Sequence, residues 1–95
     1  MIDHIWEPNP DWNKLPAPSE RDIVHFKHIS GLRHLVKVIV SSITADTVTG
    51  VVEAVFDWDI KGQITGGDIL DLVGKELTFQ KNLMHNVIKK PAHLK

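Results

Sequence analysis

The chain contains no cysteine. Disulfides, thiolate metal sites and cysteine nucleophiles are thereby excluded, and the composition suits a reducing compartment. Apolar runs extend for only a few residues, far short of the ~20 that a membrane-spanning helix needs. The opening Met1-Ile2-Asp3-His4 lacks the basic stretch and apolar stretch of a secretory signal. The expectation is a cytoplasmic protein with no membrane association. Catalytic signatures are missing too. Ser19, Ser30, Ser41 and Ser42 stand in no Gly-x-Ser-x-Gly elbow. Gly62, Gly66 and Gly67 are not followed by the Lys-Ser/Thr pair of a phosphate loop, and no His-Glu-x-x-His pattern occurs. Enzymatic activity has no support here.

What is present is an ordinary globular composition, 42% apolar and 24% charged over 95 residues, enough for one small domain. The net charge of −1 does not favour a dedicated nucleic-acid binder. Its distribution is uneven. Five acids balance five bases over residues 1–43, whereas 44–71 hold six acids and one lysine, and 72–95 hold five lysines and one glutamate. A chain with an acidic and a basic pole can pair with itself or present two different surfaces.

Residues 1–21 read as an extended arm. Pro8, Pro10, Pro16 and Pro18 each fix φ and remove a backbone donor. The arm also carries Ile2, Ile5, Trp6, Trp12 and Leu15, so it is expected to lie on something apolar, either its own domain or a second subunit. Ile5, Trp6 and Trp12 are expected to be substantially buried. Residues 22–90 form the domain and 91–95 a basic tail.

Within the domain, alternation predicts strands at 23–29, 34–43, 48–58, 76–80 and 85–89. Val36, Val38 and Val40 share one face of the second strand, and Leu35, Ile39 and Ile43 the other, which predicts a strand covered on both sides. Val48, Val52, Ala54, Phe56 and Trp58 are expected on one face of the third. Helical spacing also fits Val48, Val51, Val52, Val55 and Phe56, but four valines, two threonines and a glycine within ten residues favour strand. Gly50 suggests a bend or bulge. Thr44-Ala45-Asp46-Thr47 suits a hairpin connection. A short helical turn follows Asp68 and stops at Gly74, and a second turn is expected at residues 81–84. This all-β pattern resembles a small five-stranded SH3-like or partly open barrel with one short helical turn. Such barrels carry many unrelated functions.

The run from Asp57 to Asp68 resembles the EF-hand calcium loop, with acids at its first, third and twelfth positions and Gly62 at the sixth. The resemblance implies Asp57, Asp59 and Asp68 as calcium ligands. Lys61 replaces the usual Asp or Asn, and Asp68 replaces the longer Glu, so calcium binding is expected to be weak or absent. No other cofactor is indicated. Six histidines are scattered, and His25 and His28, an odd step apart, point to opposite faces of a strand. Lys75, Lys81, Lys89, Lys90 and Lys95 have only the core-facing Phe79 among them, a poor platform for single-stranded nucleic acid. The reading is therefore a binding module for a protein partner or for itself, with Trp6, Trp12 and Trp58 as contact residues. The alternatives are a cation-binding or a single-stranded nucleic-acid-binding barrel.

Overall fold

The computed structural model describes residues 5–29, 33–57 and 68–89. Five strands make one antiparallel sheet: β1 (Ile23–His28), β2 (His34–Ile43), β3 (Thr47–Asp57), β4 (Glu76–Gln80) and β5 (Met84–Ile88). They lie in the order β4-β3-β2-β1-β5. The expected strands stand within a residue or so of these limits wherever the chain is described. The turns also stand, as 3-10 turns at Asp68–Leu72 and Lys81–Leu83. Gly74, at φ 88°, stops the first in the left-handed conformation that glycine adopts without steric cost.

Local chemistry sets the connections. Between β2 and β3, Thr44 Oγ1 accepts from the Thr47 amide at 3.0 Å and meets Thr47 Oγ1 at 2.7 Å, fixing the hairpin. Gly50 lies where β2 and β3 approach too closely for a side chain. A Cβ there would stand 2.4 Å from the Ile39 carbonyl oxygen and 2.5 Å from Val38 Cγ1. The β2–β3 register shifts just beyond it, between Val40 and Ser42.

The sheet is strongly coiled but not closed. Phe26 of β1 stacks on Phe79 of β4 with centroids 3.8 Å apart and 14° between planes. Two strands separate them in the ladder, so a flat sheet would hold them ~14 Å apart. The concave face encloses the core: Val24 and Phe26, Val36, Val38 and Val40, Val48, Val52 and Val55, Phe79, Met84 and Val87, with Ile69 and Leu72 closing one side.

One expected face is corrected. A second register shift pairs Lys37 with Ala54 but Val38 with Val52, leaving Glu53 as the bulged residue of β3. The extra residue reverses the alternation. Val55, opposite Val36, then enters the core, and Phe56, opposite Leu35, turns to the outer face. Trp58, expected beside Phe56, lies outside the described residues.

Candidate binding surface

The arm packs on its own domain. Trp6 forms a bridge to His28, the Ile29 amide donates to the Ile5 carbonyl (2.8 Å), and the Glu7 amide donates to the Lys27 carbonyl (2.9 Å). Residues 5–7 thus lie alongside β1 beyond the point where Met84 begins its pairing. Alternation sends Trp6 inward, edge-on to Phe26, His28 and Phe79 at 6.3, 5.0 and 4.9 Å. The same alternation leaves Ile5 52% exposed, contrary to its expected burial. Trp12 starts a 3-10 turn, Trp12–Lys14, and with Leu15 packs part-buried against the core. Asn9 anchors the passage between them: its amide donates to the Asn82 carbonyl (2.8 Å) and its Nδ2 to the Met84 carbonyl (3.0 Å).

The arm enters β1 through a strained turn. The Asp22 amide donates to the Ser19 carbonyl at 3.0 Å, and Arg21 sits at φ 72°, where glycine is preferred. The buried Asp22 carboxylate accepts from the Ser19 amide (2.8 Å) and pairs with Lys89, which also donates to the Ala17 carbonyl (2.7 Å) and to Ser19 Oγ (2.9 Å). One lysine after β5 therefore fastens the end of the arm.

Most of the calcium-like loop, residues 58–67, lies outside the described residues. Of its acids, Asp57 closes β3, Asp68 opens the 3-10 turn, and Asp59 lies outside the described residues. Among the described residues no three His, Cys, Asp or Glu side chains gather to hold a metal. His28 is buried beside His34, their rings 6.3 Å apart, whereas His25 faces outward as the odd step required.

The outer face of the sheet, apolar on β2 as its sequence predicts, has no cover among the described residues. A lone antiparallel sheet normally turns polar residues to water on its uncovered side. Here, β1 and β2 place three successive pairs outward: Ile23 with Ile39, His25 with Lys37, and Lys27 with Leu35. The first pair continues to Val51 on β3 and Ile88 on β5, which are 38% and 44% exposed. The third continues to Phe56. An apolar row, a His25–Lys37 row and a third row running from Lys27 to the apolar Leu35 and Phe56 thus cross the sheet. They border an open groove of 670 Å³ whose walls include Ile23, His25, Lys37, Leu35, Phe56 and Ile88. The double cover predicted for β2 is absent among the described residues, because the arm runs past the end of β1 and β5 instead.

The electrostatics of the middle row are specific. Lys37 Nζ contacts the bulged Glu53 carboxylate at 2.6 Å, and Lys27 reaches Glu7 at 3.5 Å. Burial, then the nearby Lys37 charge, lowers the His25 pKa below its usual value. His85 Nε2 is engaged by the Glu7 carbonyl at 2.7 Å. The sequence signal for this face was the pair Leu35 and Ile39 on the second side of β2.

No family model, characterised protein or solved structure matches the chain. Within the described residues no helix is long and apolar enough to cross a membrane.

Proposed function

We propose that the protein is a small binding module that makes a protein–protein contact through the outer face of its sheet. The observation carrying this reading is the row Ile88–Ile23–Ile39–Val51, apolar across four strands on a face that has no other element over it among the described residues. An exposed apolar band beside a groove is what a partner segment needs, since burial of its side chains provides the driving force and the groove gives register. The architecture is read as an SH3-like, partly open barrel. In support, three residues connect the two outer strands, and the coiling brings β1 and β4 side chains into contact.

Selection of random twelve-residue peptides against the immobilised chain tests the reading, with the exposed double variant Val51→Lys, Ile88→Lys as counter-target. Enriched peptides should bind the parent and lose at least tenfold in affinity for the variant, as expected when two apolar contacts are replaced by charges. Peptides that bind both proteins alike, or a selection with no enrichment, would refute it. Dimeric sedimentation abolished by the same substitutions would identify a second copy as the occupant.

A further inference from the structure

We infer that the partner presents an extended segment of the pattern apolar-x-acid-x-apolar, its carboxylate seated between His25 and Lys37. This rests on the binding role of the outer face. Successive outward residues along a strand are ~6.8 Å apart, and so are alternate residues of an extended ligand lying parallel to it. The three outward pairs of β1 and β2 are apolar, cationic and mixed, with Leu35 and Phe56 making the third row apolar at its β2–β3 end. A segment following the strands therefore meets an apolar row, the His25–Lys37 row, and the apolar Leu35–Phe56 end of the third row at positions i, i+2 and i+4.

The middle row already holds a carboxylate. Glu53 contacts Lys37 at 2.6 Å while remaining half exposed, so a partner's acid competes with a solvated surface pair of small net strength. Among the described residues no carboxylate is a cause of the His25 pKa shift, although Asp57 lines the same groove. The groups lining the groove with it are Lys37 from β2, Lys27 on its own strand, Asp57 at the end of β3, and Asn86 and His85 from β5, with Glu53 and Glu7 held at the two lysines. Burial and the Lys37 charge keep His25 neutral in the free protein more strongly than in a solvated peptide. A carboxylate arriving between His25 and Lys37 reverses that balance, since an opposite charge favours the imidazolium. Binding then takes up a proton, and affinity rises as pH falls from 7.5 to 6. A polyphosphate chain fits less well, because Glu7, Glu53 and Glu76 flank the rows with negative charge.

The experiment compares three synthetic peptides on the full chain by calorimetry and fluorescence anisotropy. They share a Leu-Ser-X-Ser-Leu core with X as Glu, Gln or Lys, and a labelled oligothymidylate is added as a fourth probe. The Glu peptide should bind at least tenfold tighter than the Gln peptide at pH 6, and the Lys peptide more weakly than either. Its preference should shrink at pH 7.5, and its proton uptake should vanish in His25→Gln. The distant variant Lys75→Gln should retain both. Equal affinity for the Glu and Gln peptides, or a preference that ignores pH, would overturn the inference while leaving the binding face standing. No binding by any peptide would overturn both, as would oligothymidylate binding that His25→Gln and Lys37→Gln abolish.

Discussion

Replacing Trp6 with alanine tests whether the arm belongs to the core of its own chain. The ring closes one end of the concave face, edge-on to Phe26, His28 and Phe79, and one backbone hydrogen bond on each side, at Ile5 and at Glu7, fixes it there. A tryptophan side chain carries ~200 Å², and covering the greater part of it, as for the part-buried Trp6, at ~25 cal/mol per Å² is worth about 3 kcal/mol. The backbone contacts of residues 5 and 7 survive the substitution, so the loss should stay near that figure, at the lower end of the ~3–5 kcal/mol seen for fully buried aromatics. Urea unfolding followed by far-ultraviolet circular dichroism reads it directly. The midpoint should fall without a change in slope and should not depend on protein concentration. A loss below about 0.5 kcal/mol would refute the assignment of Trp6 to the core. A midpoint that rises with protein concentration would place the ring against a second subunit instead.

Three further outcomes follow from the same geometry. Gly50→Ala should destabilise by about 2 kcal/mol or more, because the new Cβ collides with the Ile39 carbonyl, which is backbone and cannot swing aside; unchanged stability in urea would contradict the close approach of β2 and β3. Arg21→Gly should be neutral or stabilising by up to about 1 kcal/mol, since it relieves a left-handed residue, while Arg21→Val should destabilise; the reverse order in thermal unfolding would contradict the turn. The lowered His25 pKa means that folding disfavours the imidazolium, so its contribution to stability is present above the unfolded pKa of about 6.5 and is lost as pH falls through the folded value. His25→Gln should therefore flatten the decline in stability between pH 7 and 5, and an unaltered decline would show that His25 is not its source.

The strands were legible because the chemistry that forms them is local. Buried apolar residues alternate in β1 (Val24, Phe26) and β2 (Val36, Val38, Val40), Gly50 marks a close approach, and Gly74 supplies the left-handed stop of a turn. The outer face was only half legible. Leu35 and Ile39 announced apolar residues on the second side of β2, but they pointed to a cover and not to an open groove. What hid the groove was the bulge at Glu53. One extra residue moves Phe56 from the core to the outside, and no periodicity within β3 reveals a register that β2 decides. The arm shows the same limit. Its tryptophans demanded an apolar surface, yet which side of each residue met that surface depended on the Ile5 and Glu7 hydrogen bonds to β1. The Asp22–Lys89 pair joins positions far apart in the chain, and nothing near either residue suggests the other.

Backbone amide chemical shifts of the full chain, recorded while a peptide selected against it is titrated in, address the binding face most directly. Perturbations should concentrate at Ile23, His25, Leu35, Lys37, Ile39, Val51 and Ile88, follow the alternate outward positions of β1 and β2, and disappear in Val51→Lys, Ile88→Lys. Perturbations centred on Trp6 and Trp12, or along the outer edge of β4, with the outward rows of β1 and β2 unmoved, would contradict the account and move the contact to the arm or the sheet edge.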